Sequence, residues 1–182
     1  MKSSLFIITS LLSLSLAQSD KHTYISKEYG FASDFPGKVE IDRLDKYSHS
    51  FTTFESIGDE FIFYQVQVLD ERPGSPLQFR TKEEYSIFLN NFLKTSQHQY
   101  DRPKNIYTKV KLYEGKYHSL DYKFSGLWKV VGPGIPVYSW GKTILHNKRL
   151  KRISIVFSQG LGNNALVRKK CEDFLGSFRL LE

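Results

Sequence analysis

The sequence predicts an α+β domain, a sheet built from hairpins with helices packed on it. Three observations predict it. The closing stretch, Leu150 to Glu182, reads as strand, helix, strand, so its helix has to lie on a sheet and hand the chain back to it. Several earlier runs alternate apolar and polar residues, the period of a half-buried strand. Finally, 14 Phe, 11 Tyr and 2 Trp stand against a single Met, an aromatic load suited to pleated surfaces.

At 182 residues the chain has the size of one domain and can bury an ample core. Hydrophobic and charged contents of 40% and 25% are ordinary globular values and exclude a disordered chain. The first residues stand apart. Lys2 precedes an apolar run from Leu5 to Leu16 that is too short to span a bilayer. Ser15-Leu16-Ala17 places small residues where a signal peptidase reads, so residues 1–17 are expected to be a signal peptide and 18–182 one secreted or periplasmic domain. An uncleaved anchor is the alternative. Losing Lys2 lowers the formal charge from +7 to +6, and the mature domain stays basic. The single cysteine, Cys171, cannot form an intrachain disulfide; on the apolar face of the last helix it reads as a small core residue.

Taken in order, Phe31, Ser33 and Phe35 share one face of a short strand that Pro36-Gly37 ends, and Val39 and Ile41 resume the alternation. A weaker strand covers Ser50 to Glu55. Glu60 to Leu69 is the central strand, with Ile62, Tyr64, Val66 and Val68 on one face and Phe61, Phe63, Gln65 and Gln67 on the other. Bulk on both faces at one end predicts cover on both sides there. A loop with Pro73-Gly74 and Pro76 leads to Thr81-Lys82-Glu83-Glu84, a capping box that opens a helix running to about Gln97, with Tyr85, Phe88, Leu89, Phe92 and Leu93 as its buried stripe. Asn105 to Tyr113 alternates with Ile106, Thr108, Val110 and Leu112 inside, and Glu114-Gly115 turns it into a strand carrying His118, Leu120, Tyr122 and Phe124. Gly126 to Pro136 reads as a loop. Val137 to His146 and Leu150 to Ser158 form a hairpin about Asn147-Lys148. Val167, Cys171, Phe174 and Leu175 share a face of the last helix, Gly176 is placed to cap it, and Phe178 and Leu180 alternate again.

Tyr29-Gly30-Phe31 through Phe35-Pro36-Gly37, Gly115-Lys116-Tyr117 opening a strand, the hairpin HNKRLKRISIVF and the closing Phe174-Leu175-Gly176-Ser177-Phe178 follow one another in a telling order. In that order they resemble the PsbP-like family, in particular its bacterial-type exported domains, whose fold is shared with the nuclear import factor Mog1. The resemblance is one of pattern over nearly all of the mature chain. It implies a mainly antiparallel twisted sheet with helices packed on it, an α/β/α sandwich of the Mog1/PsbP type, and binding rather than catalysis. The family supplies no shared active-site motif, and the metal sites of plant members have no ligand set here.

The residues themselves give catalysis no support. Gly160-Leu161-Gly162-Asn163-Asn164-Ala165 imitates a dinucleotide fingerprint, but the motif needs a parallel βαβ unit and an acidic residue about 20 positions on, where only Glu182 stands. Five scattered histidines show no ligand spacing, so no metal or other cofactor is expected. No GxSxG elbow is present. The positive signal is a cluster: Lys142, His146, Lys148, Arg149, Lys151 and Arg152 crowd one hairpin, Arg168, Lys169 and Lys170 follow on the last helix, and Trp128, Tyr138 and Trp140 lie beside them. Basic groups among aromatics bind nucleic acid, anionic polysaccharide or lipid, or acidic proteins. An exported protein seldom meets nucleic acid, so none is expected. The candidate binding residues are therefore Trp128, Tyr138, Trp140, Lys142, Arg149 and Lys151, forming with the Gly126–Pro136 loop a docking surface for an acidic protein or envelope component. A solvated basic face is the bland reading of the same residues. The chain thus reads as an exported, non-enzymatic, monomeric binding or accessory module. The alternative is a small-ligand carrier or enzyme with a pocket between sheet and helix. A closed core favours the first; an open pocket with converging polar groups favours the second.

Overall fold

In the computed structural model, residues 22–73, 81–97, 100–129 and 134–182 are described. The expected signal peptide lies outside them. The strands are β1 (His22–Ser26), β2 (Phe31–Phe35), β3 (Glu40–Asp45), β4 (Ser48–Ile57) and β5 (Glu60–Asp70), then β6 (Tyr100–Tyr113), β7 (Tyr117–Trp128), β8 (Ile135–His146), β9 (Arg149–Ser158) and β10 (Arg179–Leu180). Helix α1 (Lys82–Gln97) follows β5, and α2 (Ala165–Ser177) follows β9 through a 3-10 turn, Gln159–Asn163. Seven strands form one sheet in the order β3-β4-β5-β9-β8-β7-β6, and β1-β2-β10 form a second. Every described pairing is antiparallel.

The period of two along β5 divides the core as expected. Ile62, Tyr64, Val66 and Val68 join Ile153, Ile155 and Phe157 of β9 on one face. The small sheet and α2 cover it with Phe31, Phe35, Cys171, Phe174 and Phe178, all buried. Phe178 stacks on Phe31 with centroids 5.8 Å apart, and Phe174 meets Phe35 and Tyr64 edge-on at 5.2 Å each. On the other face Phe61, Leu120, Val137, Leu150 and Val156 form a second buried cluster, joined by Tyr85 and Phe88 of α1. The Tyr85 hydroxyl donates to the His118 carbonyl and accepts from the Leu145 N–H, so α1 sits at one end of that face. Among the described residues, no helix lies over the rest of the face. That vacancy positions the candidate site.

The turns follow their residues. Asn147 and Lys148 have φ of 50° and 57°, the pair of left-handed residues that a two-residue hairpin needs. Thr81 caps α1 by accepting from the Glu84 N–H at 3.1 Å.

Three expectations need correction. Residues Gly126–Trp128 and Ile135–Pro136 are strand, not loop: β7 runs to Trp128, which pairs with Ile135. Backbone pairing across the sheet outweighs the breaker composition of that stretch. On β6, Ile106, Thr108 and Leu112 are exposed, with Ile106 53% accessible, and Val110 is the one of the four that packs inward. This strand is the sheet edge, with bulges between Asp101 and Lys104 and between Asn105 and Tyr107, and α1 reaches only part of it. Gly176 is helical rather than a left-handed cap; α2 continues to Ser177. The Ser177 hydroxyl donates to the Phe174 carbonyl at 2.9 Å and accepts from the Asp34 N–H at 2.9 Å, tying the helix end to β2.

Candidate functional site

The uncovered part of the second face forms a cleft of about 420 Å³. Glu40 and Asp42 of β3 and Tyr100 of β6 line it together, although these are the two edge strands, so the sheet curls until both edges face one hollow. Curvature of this kind follows from the fixed hand of strand twist.

Its floor is polar where a sheet face is ordinarily apolar. Gln65 and Gln67 stand opposite Ser154 and Arg152 in the β5–β9 register, and opposite Thr52 and Ser50 in the β4–β5 register. Arg152 is only 8% exposed, and its Nη2 donates to Gln65 Oε1 at 3.2 Å. Ser154 Oγ donates to the same oxygen at 3.3 Å, while Gln65 Nε2 donates to Ser50 Oγ at 2.8 Å. The chain of bonds fixes the amide and holds a guanidinium at the bottom of the cleft. Tyr122 lies beside it; burial pushes its hydroxyl up to about 12, with Arg152 pulling the other way. Burial also raises the Tyr100 hydroxyl. Both phenols are therefore neutral donors at pH 7.

One wall is aromatic. Trp128 packs 5.6 Å from Phe63 and 5.7 Å from Phe61, and Phe61 stacks at 5.7 Å on Phe54, which is 58% exposed. Tyr100 meets Phe124 edge-on at 4.8 Å on the other side. The pocket thus joins one buried cation, neutral donors and acceptors, and an aromatic shelf, with two carboxylates on β3.

The sequence-predicted residues divide between the faces. Trp128 belongs to the cleft. Tyr138 and Trp140 project to the opposite face and pack on Phe157 at 5.6 and 5.4 Å. Lys142 follows them there, and its ammonium donates to the Leu175 carbonyl near the C-terminal end of α2, a partner suited to that end of a helix. Burial lowers its pKa. Arg149 Nε pairs with Asp70 at 2.7 Å, and its guanidinium lies over the Tyr29 ring. Lys151 is 1% exposed with Nζ 3.3 Å from His146 Nδ1. The expected single surface is therefore not assembled: alternation sends Trp128 one way and the other five the opposite way, and the three cations are bound internally. On α2, Arg168 donates to the Gly162 carbonyl, Lys169 pairs with Asp173 and Lys170 with Glu55.

Of the fingerprint-like glycines, Gly162 has a packing role, whereas Gly160 faces only the free end of the flexible Glu60 side chain. A Cβ on Gly160 would come within 2.3 Å of Glu60, and one on Gly162 within 2.5 Å of the Tyr138 ring. The Asn164 side chain already accepts from the Leu166 and Val167 N–H groups, which closes the helix N-terminus. Among the described residues, no three His, Cys, Asp or Glu side chains converge as a metal group would require.

Sequence reasoning passed over the cleft's floor. Gln65 and Gln67 were visible as polar alternates on a strand otherwise rich in apolar residues, and Arg152 and Ser154 repeat that spacing on β9. Reading both strands in register would have paired them.

No protein-family model and no curated protein matches the sequence. Solved structures match the fold. Cyanobacterial PsbP from Synechocystis superposes with a TM-score of 0.54 at 13% identity, over 91% of this chain and 95% of that one. A protein of unknown function from Pseudomonas aeruginosa gives 0.50 at 10% identity over 85% and 95%. The Saccharomyces cerevisiae Ran-binding protein Mog1p gives 0.48 at 12% identity over 89% and 97%. The chain has the PsbP-like α+β fold that the resemblance implied.

Proposed function

We propose that this chain is an exported, non-enzymatic binding module whose ligand enters the sheet-face cleft. One observation carries the reading: a guanidinium 8% exposed is held by an amide at the bottom of an open hollow of about 420 Å³. That volume lies within the roughly 300–1,000 Å³ range of small-molecule sites. Arg152 supplies a charge-assisted donor for one anionic group, and the Trp128–Phe63 shelf receives an apolar body. The ligand class is a monocarboxylate with an aromatic or branched apolar body. An open pocket with converging polar groups favours the carrier reading over docking through the basic hairpin, because Lys142, Arg149 and Lys151 are engaged within the fold. Export draws its support from the apolar leader sequence; among the described residues no helix is long and apolar enough to cross a membrane.

Trp140→Phe leaves Trp128 as the one indole, so its fluorescence reports on the cleft. Titration with phenylacetate, phenylpropionate and branched-chain carboxylates should give saturable quenching by at least one of them. Arg152→Gln, once shown by circular dichroism to fold, should weaken that binding about tenfold or more. Absence of quenching across the panel, or equal quenching in Arg152→Gln, overturns the proposal. For export, mass spectrometry of the mature protein should find Gln18 at its N-terminus; envelope material that retains Met1 would refute it.

A further inference from the structure

A second pocket lies at the end of the opposite face, away from the cleft. There the β8–β9 turn meets the β1–β2 turn and the residues after β10, enclosing about 280 Å³. His146, Arg149 and Lys151 line it from one side, and Lys27, Tyr29 and Gly30 from another. Lys151 and His146 border this space although they are 1% and 5% exposed. Among the described residues, no carboxylate lies within ion-pairing distance of either.

The position of Lys151 calls for a physical reason. Its neighbours on the same strand face are Ile153, Ile155 and Phe157, so an aliphatic side chain would pack there and avoid burying a charge. A buried lysine is ordinarily paired. Its bond to His146 Nδ1 uses one of three ammonium protons and provides no countercharge. Arg149 brings a second cation to the same pocket, held by Asp70 and by the Glu28 carbonyl. Three nitrogen donors thus converge on a hollow.

We infer that this pocket is an anion site for a phosphate group, free or as a monoester, whose oxygens accept from Lys151, Arg149 and a protonated His146. Burial first, and then Arg149, hold Lys151 down at about 8; burial and Lys151 hold His146 below its usual range. A bound anion counters the cationic repulsion on both groups and draws the Lys151 ammonium off His146 Nδ1, which then takes a proton. The charged groups facing the pair are Lys27 and Glu28 of the β1–β2 turn, Asp70 of β5, Glu114 and Lys116 of the β6–β7 turn, and Glu182 after β10. Glu28 and Glu182 share the pocket lining and oppose an anion, so affinity depends on the buried donors.

The test compares thermal midpoints of the full mature chain in sodium phosphate and in sodium chloride at equal ionic strength. Phosphate should raise the midpoint of the parent and of Lys169→Met, whose lysine is exposed on α2. Calorimetric phosphate binding should weaken at least about tenfold in Lys151→Met. A second arm sediments the protein with phosphatidylcholine vesicles, with and without phosphatidic acid. Pelleting with phosphatidic acid, lost in Lys151→Met, assigns the site to a lipid headgroup; response to free phosphate alone assigns it to a soluble ligand. Should Lys151→Met fail to fold, the His146 ring-nitrogen shifts of the parent decide: movement toward the imidazolium on adding phosphate supports the site. No midpoint rise and no vesicle binding in the parent overturns it, as does an unchanged phosphate response in Lys151→Met.

Discussion

Gly141 shows how much one side chain's absence determines. It stands on β8 beside Tyr122 of β7, and an added Cβ would fall 2.4 Å from the Tyr122 hydroxyl and 2.5 Å from the Ile153 carbonyl of β9. One neighbour is backbone of an adjacent central strand and cannot move without disturbing the ladder. Gly141→Ala should therefore destabilise by about 2–3 kcal/mol, the upper part of the range for over-packed cores. The Tyr122 ring carbon Cζ would also lie 2.5 Å from that Cβ, so Tyr122→Phe introduced into Gly141→Ala removes one of three clashes and should restore little of the loss. Urea midpoints of the parent, both single variants and the double variant measure this. A Gly141→Ala midpoint equal to the parent's would mean that β8 and β9 lie farther apart at this point. The same glycine lets Tyr122 turn its hydroxyl under the cleft floor, which links a packing detail to the candidate site.

Among the elements, α2 is the one whose sequence signals were clearest. Val167, Cys171 and Phe174 were readable as one face and are buried in the core. Its N-terminus depends on Asn164, whose side chain accepts at 3.0 and 3.2 Å from two N–H groups that would otherwise lack helix partners. Asn164→Ala should cost about 1 kcal/mol, whereas Asn164→Asp should be neutral or slightly stabilising because a carboxylate also favours the positive end of the helix dipole. Chemical denaturation of the two variants checks the pair of signs; equal losses in both would show that the cap is not what holds the helix start. The strands were legible where alternation coincided with burial, as in β5, β7, β8 and β9. They were misread where it did not. Ile106 and Leu112 alternate like core residues, yet position at a sheet edge decides their exposure, and edge position is a property of strand order rather than of local sequence. For the same reason the site was only half readable. Trp128 was picked out, but Phe63, on which it packs, and the Arg152–Gln65 pair that lines the same cleft lie on strands that sequence distance does not bring together.

At the scale of the whole molecule, buried titratable groups on both faces predict how stability varies with pH. Lys151 has its folded pKa near 8 against 10.5 for a free lysine, because burial disfavours the ammonium. Below pH 8 it is charged in both states and folding carries the full penalty, about 3 kcal/mol at order of magnitude. As pH rises through 8 toward 10.5, the unfolded chain retains the proton that the folded chain has lost, so this group makes stability increase. Cys171 works in reverse. Burial raises its thiol from 9.0 to about 12, so above pH 9 the unfolded chain loses a proton that the folded chain keeps, and stability falls. Tyr64, Tyr85 and Tyr122, all raised by burial, add the same sign above pH 10. Together these give a rise between pH 8 and 9, a near-plateau to about pH 10 while lysine and cysteine oppose each other, and a steep decline beyond. In Lys151→Met the rise should shrink to what Lys142, also lowered by burial, contributes, before the same descent. Urea midpoints in phosphate-free buffers from pH 7 to 11 give both curves, and the difference between them isolates the lysine. Parallel profiles for parent and variant would place the Lys151 ammonium in contact with water rather than within the fold.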